Sequence, residues 1–249
     1  NQIQNTIGGL RLRPQTSVYM CVIVSFGVCN LPRSAKIINF THSNTKHTYF
    51  LMADNRKEVE RAELHRTIWA IADDLRGSVD GWDFKSYILG MLFYRYISEN
   101  ITAYINKGEW ETGNKSFNYA DLDDATAEGA RDEMVGVKGF FILPSQLFEN
   151  VCKVCDADPN LNMTLEGIFS SIENSAKGTA SEDDFKGLFA DLDVNSNKLG
   201  ATVIKRNEKL VKLLRGVQSM KLGDYQNNTI DAFGDAYEYL MGMYASNAG

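Results

Sequence analysis

The chain has 249 residues, 44% of them hydrophobic, and a formal net charge of −6. These values are typical of a soluble globular protein of one or two domains, and the acidic balance excludes a global electrostatic attraction to nucleic acid. Any DNA contact therefore needs a local basic patch or a partner chain. The cysteines are too few and too scattered for a disulfide scaffold and fit a reducing compartment: Cys21, Cys29, Cys152 and Cys155.

Residues 1–51 differ in character from the rest of the chain. The sequence begins at Asn1 rather than at Met, and Arg11 and Arg13 precede an apolar run over 18–24. This order resembles the charged and apolar parts of a signal peptide, but no small-residue cleavage site follows. We interpret 1–51 as a poorly ordered extension, with Met52 as the natural start. A secreted protein led by this segment is the alternative interpretation.

The most apolar stretch of the chain covers residues 84–104. Between Tyr87 and Ile97 only Gly90 and Arg95 interrupt the large apolar and aromatic side chains. A helix of this composition is hydrophobic on every side, so we expect it to lie at the centre of the core. Charged side chains at both ends make it too short for a membrane span, and no membrane contact is predicted.

Further helices are predicted on both sides of this central one. An earlier helix over 56–75 carries an apolar stripe with Trp69 as a bulky anchor. The polar, glycine-containing stretch 109–139 reads as a long loop with at most one short helix, and 139–143 as a short strand. Later helices are predicted at 144–154, beginning at Pro144 with Ser145 as a cap, and at 163–176, 183–192, 203–220 and 229–244. The predicted fold is mainly α, a multi-helix bundle with at most a short strand or hairpin near 139–143.

The segment 203–220 has the clearest amphipathic pattern. Its apolar face is predicted to contain Val203, Leu210, Leu214 and Val217. Another face carries five cations: Lys205, Arg206, Lys209, Lys212 and Arg215. We expect this face to be the surface that approaches DNA phosphates, although a solvated surface explains the same pattern.

Motifs for chemistry are incomplete or missing. Asp191, Asp193, Asn195 and Asn197 alternate as in a calcium loop, but the required glycine and terminal glutamate are absent, so a turn is predicted. Cys152 and Cys155 form a CxxC without a second pair, which favours buried neutral thiols. No glycine-rich phosphate cradle and no serine nucleophile elbow occurs. We therefore predict no catalytic, cofactor-binding or metal-binding residue in this chain.

Several stretches resemble one known family. LHRTIWAIADDLRGSVDGWDFKSYILGMLFYRYISE at 64–99 is similar to the opening of the modification subunit of type I restriction-modification systems. DAFGDAYEYLMGMYASNAG at 231–249 resembles the junction between that family's helical domain and its methyltransferase domain. GFFILPSQLF from Gly139 and NKLG from Asn197 match in the right order between them. The resemblance implies the N-terminal helical domain over 52–228, followed by a junction helix at 229–249.

The resemblance implies a cytoplasmic, S-adenosylmethionine-dependent enzyme that methylates the exocyclic amine of adenine. Its implied partners are a DNA-specificity subunit, a second modification subunit, a restriction subunit and double-stranded DNA. The family's catalytic Asn-Pro-Pro-aromatic tetrapeptide cannot be present, since no two prolines of this chain are adjacent. We therefore expect the chain alone to lack the methyltransferase domain and to be inactive. The alternative is a stand-alone, non-catalytic helical module that binds a specificity subunit, as a regulator or decoy.

Overall fold

The computed structural model describes residues 45–75, 81–222 and 232–245. Within these ranges the chain forms α-helices and short 3-10 turns and no β-strand, which confirms the predicted mainly-α fold. None of the described helices is long and apolar enough to cross a membrane. The helices are α1 (Thr45–Leu75), α2 (Gly81–Glu111), α3 (Asp124–Glu128), α4 (Arg131–Lys138), α5 (Phe148–Val154), α6 (Leu161–Ser175), α7 (Glu182–Phe185), α8 (Val203–Ser219) and α9 (Ala232–Ala245).

Helix α2 occupies the centre of the core, as its sequence predicts. Phe84, Met91, Leu92 and Ile97 are all buried, and α2 packs against α5, α8 and α9. Its Gly90 permits a close approach, because a Cβ added there would lie 2.9 Å from Cδ2 of Leu192. A side chain at this position would require the Leu192 side chain to move.

Helix α1 packs mainly against α8 and α9. It begins at Thr45, inside the predicted extension 1–51, and residues 1–44 lie outside the described part of the chain. Its core contacts come from one stripe containing Leu64, Ile68 and Ile71. Helix α8 approaches this stripe closely, since a Cβ added to Gly216 would lie 2.4 Å from Cγ1 of Ile71. Trp69, predicted as a bulky anchor, lies off that stripe and is 44% exposed.

The stretch predicted as a long loop over 109–139 is more ordered than expected. It contains a 3-10 turn and helices α3 and α4. Asp123 caps α3 by accepting a hydrogen bond from the backbone N–H of Thr126, and Gly139 ends α4 with a left-handed φ of 79°. Buried Tyr119 anchors the stretch, because its hydroxyl donates to the carbonyl oxygen of Ile142 at 2.7 Å. Side-chain hydrogen bonds to distant segments therefore hold this stretch in place, although its sequence has no regular apolar pattern.

The short strand predicted at 139–143 is a buried extended segment without a partner strand in the described ranges. Phe140, Phe141 and Ile142 fill the core, and the backbone N–H of Phe141 donates to the hydroxyl of Ser175 at 2.9 Å. The next helix begins later than predicted. A 3-10 turn covers Pro144–Gln146, and α5 starts at Phe148.

Ser145 does not cap α5, contrary to the sequence prediction. Its backbone N–H and its hydroxyl both donate to the carboxylate of Asp124, at 2.9 and 2.6 Å. The residue therefore connects the 3-10 turn before α5 to the start of α3.

Candidate nucleic-acid interface on helix α8

Helix α8 is fixed at its start by a local cap. The hydroxyl oxygen of Thr202 accepts a hydrogen bond from the backbone N–H of Lys205 at 3.3 Å. Threonine before an amphipathic run is a recognised start signal, so the sequence contained the information for this cap. The first turn nevertheless stands outside the core: Val203, predicted as buried, is 40% exposed, and Ile204 is 73% exposed. The buried side begins one turn later and contains Leu210, Leu213, Leu214 and Val217.

The end of α8 is held by a cation from the central helix. The Arg95 guanidinium donates to the carbonyl oxygens of Val217, Gln218 and Met220 at 2.6, 3.3 and 2.8 Å. Glu99 pairs with the same guanidinium at 2.6 Å. The last carbonyls of a helix lack intrahelical partners, and a positive charge near them is favourable. Arg95, the lone cation in the apolar run of α2, therefore fixes α8 against the core.

The two predicted arginines of the basic face are engaged within the domain. Arg206 is half-buried, and its Nη1 donates to the carbonyl oxygen of Gly200 at 3.1 Å and to Oδ1 of Asn197 at 3.3 Å. Arg215 forms an ion pair with Asp156, and this hydrogen bond raises the pKa of the guanidinium. Both arginines hold neighbouring segments against α8, a role that sequence spacing did not predict.

The three predicted lysines lie on one side of the helix. Lys205 and Lys212 are exposed and Lys209 is half-buried. Their spacing of four and three residues places them on one face, over a length of about 10 Å along the axis. Glu208 is the one acidic residue of α8 and is also exposed. This lysine face points away from the buried leucines and carries a net positive charge.

The two thiols of the CxxC motif, which lies beside α8, are buried and neutral. Cys152 and Cys155 are buried free thiols, as predicted. Burial raises the pKa of Cys152 to about 12 and also raises that of Cys155. Both thiols are therefore protonated at neutral pH, and a protonated thiol is not a nucleophile. Across the described ranges, no group of three His, Cys, Asp or Glu side chains is placed to hold a metal ion.

The calcium-like half-motif forms the turn that its incomplete pattern predicted. The backbone N–H groups of Asn195 and Ser196 donate to Asp193, at 2.9 Å to Oδ1 and 3.2 Å to the carbonyl oxygen. The Asn195 amide then bonds Glu166 at 3.0 Å. The oxygens of Asp193 therefore accept hydrogen bonds within the turn, and the Glu166 carboxylate attaches the turn to α6.

Comparison with known proteins gives a domain family and two methylase subunits of type I restriction enzymes. Residues 64–217 match the family model described as the HsdM N-terminal domain. Over 203 residues the chain is 46% identical to the MpnII type I restriction enzyme methylase subunit of Mycoplasma pneumoniae, covering 79% of this chain and 37% of that protein. A crystal structure of the type I restriction-modification methyltransferase subunit of Streptococcus thermophilus is 28% identical with a TM-score of 0.59, covering 74% of this chain and 39% of that one. The chain thus spans less than two fifths of the length of these relatives.

Proposed function

Because the chain belongs to the HsdM N-terminal domain family, we propose that it acts within a DNA adenine methyltransferase of the type I restriction-modification class. The activity is S-adenosylmethionine-dependent, site-specific methylation of the exocyclic amine of adenine. The proposed partners are a DNA-specificity subunit, a second modification subunit, a restriction subunit and double-stranded DNA, in the cytoplasm. The domain's part is to assemble with these subunits and to help close the complex around DNA.

The described residues do not fit S-adenosylmethionine. The four glycines with positive φ, Gly113, Gly139, Gly178 and Gly187, lie in four separate turns and form no cradle. The helical core is filled by packed side chains. We therefore propose that cofactor binding and the methyl transfer belong to another part of the enzyme, and we assign none of the described residues to that step.

The lysine face of α8 is the observation that supports a DNA contact. Lys205, Lys209 and Lys212 share one side of a helix whose opposite side is buried and whose two ends are capped. Lysine acts as a point charge toward phosphate, and phosphate contacts position a protein on DNA without reading bases. Arg206 and Arg215 belong to the same predicted interface, and we propose that they also shape it, since each binds a neighbouring segment of the domain.

The test replaces all three lysines with glutamate in the complex of this chain with its specificity subunit. We expect DNA affinity to fall at least about tenfold, because three phosphate contacts are lost. The slope of log K against log salt should become shallower by up to about 3, since fewer counterions are released. Fluorescence anisotropy of a labelled duplex at several salt concentrations measures both quantities.

A matched control carries the same charge change elsewhere. Lys107, Lys115 and Lys177 are all exposed and lie outside α8. Replacing these three with glutamate should leave the salt slope within error of the unmodified complex. If both triple variants behave alike, the basic face of α8 is only a solvated surface and the proposed DNA contact is wrong.

A further inference from the structure

A groove of about 280 Å³ lies between helix α6 and the segment that follows α7. Toward the end of α6, the backbone N–H groups of Gly187 and Phe189 donate to the Glu173 carboxylate at 3.2 and 3.1 Å. Two turns earlier on α6, the Glu166 carboxylate accepts a hydrogen bond from the Asn195 amide at 3.0 Å. The segment therefore runs antiparallel to α6, and one carboxylate lies at each end of the groove.

The floor of the groove is apolar. The rings of Phe169 and Phe189, each 5% exposed, line it and stack with centroids 4.4 Å apart and an interplanar angle of 15°. Leu192 and Val194 add aliphatic surface, and Asp193 adds a third carboxylate from the wall opposite α6. No Lys, Arg or His is among the described residues that line the groove. We call it the α6 groove, defined by Glu166, Phe169, Glu173, Phe189 and Asp193.

The Glu166 end of the groove lies beside a buried acceptor that lacks a donor. Asn195, which binds Glu166, is itself held by Asn162, whose Nδ2 donates to Oδ1 of Asn195 at 2.5 Å. Asn162 is only 3% exposed, and Oδ1 of the same amide has no hydrogen-bond partner. A buried polar atom without a partner is rare, and it indicates a donor that the described residues do not supply.

The spacing of the carboxylates indicates a long cation. Glu166 and Glu173 are two turns apart, which is about 10 Å along the axis of α6. Within the described part of the chain, these carboxylates belong to no group that could hold a metal ion. Spermidine, a linear polyamine, carries terminal ammonium groups that lie about 11 Å apart when its methylene chain is extended.

We propose that the α6 groove binds a linear polyamine of this length. One terminal ammonium contacts Glu166 and the other contacts Glu173, in charge-assisted hydrogen bonds. The methylene groups lie over Phe169 and Phe189, and these rings also attract the cation. Both glutamates are already oriented by the domain, so little ordering of the site accompanies binding. The site lies outside the lysine face and adds a small-molecule ligand to the proposed DNA contact.

Isothermal titration calorimetry of spermidine into the full 249-residue chain tests the proposal. The titration is carried out in about 0.15 M salt, where diffuse attraction between exposed charges is screened. We expect saturable binding of one spermidine per chain. Butylamine carries a single ammonium group, so it should bind at least about tenfold more weakly, because it engages only one end of the groove.

Two double variants locate the binding site. Glu166→Gln with Glu173→Gln removes both end charges and keeps an oxygen acceptor at each position, and it should weaken spermidine binding about a hundredfold. The matched control, Glu182→Gln with Asp183→Asn, removes two exposed charges of α7 outside the groove and should change the dissociation constant less than about twofold. The thermal midpoint shows whether each variant is folded. If Glu173→Gln prevents folding, Glu166→Gln alone should still weaken binding about tenfold.

Three results would overturn the proposal. The first is the absence of saturable spermidine binding. The second is an equal loss of affinity in the two double variants, because the attraction is then spread over the acidic surface. The third is equal affinity for butylamine, which favours a site for a single ammonium group such as a lysine side chain. None of these measurements involves DNA or the lysine face, so their outcome is independent of the proposed function.

Discussion

Helices α2 and α8 place charge in opposite ways. Most of α2 between Phe84 and Ser98 is buried under other segments. Two of its cations face the interior: Lys85 is buried, and Arg95 donates to a carbonyl oxygen at the end of α8. Burial lowers the pKa of Lys85, an effect partly offset by nearby Asp191. Helix α8 is covered on one side only, and three lysines occupy its outer face. A cation in a surrounded helix thus contacts the interior, whereas lysines on a one-sided helix lie on its outer face.

The comparison also separates stability from binding. Changes in α2 should act on the free energy of unfolding, because each side chain there contacts neighbours on several sides. Changes on the outer face of α8 should act on DNA affinity and leave the fold intact. The lysine variants described above test the second half of this statement, and two changes in α2 test the first.

The largest effect is expected for Leu92→Ala in α2. Leu92 is fully buried, so truncation removes apolar contacts and leaves a cavity. The free energy of unfolding should fall by about 3 kcal/mol. Ile204→Ala, at a 73% exposed position of α8, should change it by less than about 0.5 kcal/mol. Urea denaturation followed by circular dichroism measures both values, and equal losses would contradict the contrast between the two helices.

A smaller loss is expected for Arg95→Met. The change leaves the terminal carbonyls of α8 without their charged donor, which should cost about 2 kcal/mol. Hydrogen exchange should become faster in the last turn of α8 and stay unchanged in α6. Lys153→Met removes an exposed ion pair with Glu149 and should cost less than about 0.5 kcal/mol. Unaltered exchange near Val217 would show that Arg95 does not hold this end.

The smallest effect concerns pH and the α1–α9 contact. Burial lowers the pKa of His65, Asp235 opposes this effect, and Arg61 adds to it. When the pH falls below the unfolded pKa of about 6.5, His65 takes up a proton more readily in the unfolded chain than in the folded one. Stability should therefore decrease as the pH falls from about 7 toward the folded pKa. His65→Phe keeps an aromatic ring and should remove this part of the pH dependence. A variant whose stability follows the unmodified chain at every pH would exclude His65 as its source.

The parts of the fold that sequence predicts best are those with a regular apolar pattern. Helices α6 and α8 follow from apolar spacing and α2 from its continuous apolar run, and Leu165, Ile168, Phe169 and Ile172 of α6 are buried as the spacing requires. The region 109–139 was predicted less well because its order depends on distant partners. Asn106 accepts a hydrogen bond from the backbone N–H of Tyr119 at 2.7 Å, and Asp124 binds Ser145. Hydrogen-bonded pairs of this kind produce no periodic pattern in the sequence.

The candidate interface was predictable as a set of cations on one helix face, but their separate roles were not. From sequence spacing alone, Arg206, Arg215 and the three lysines are predicted equally as phosphate contacts. The structure shows what the two arginines bind, because Asn197 and Gly200 accept from Arg206 while Asp156 pairs with Arg215. The sequence does mark Arg95, as a lone cation in an apolar run. The carbonyl oxygens to which it donates, however, lie more than 120 positions away.

The pairing of α1 with α9 has a consequence for synthesis of the protein on the ribosome. The apolar stripe of α1, with Leu64, Ile68 and Ile71, is covered by α8 and α9. At about 5 to 20 residues per second, translation from the end of α1 to the start of α9 takes roughly 8 to 30 s. During that interval the stripe lacks its final cover and is open to nascent-chain chaperones and to aggregation. The contacts between α1 and α9 thus make the first described helix dependent on the last one.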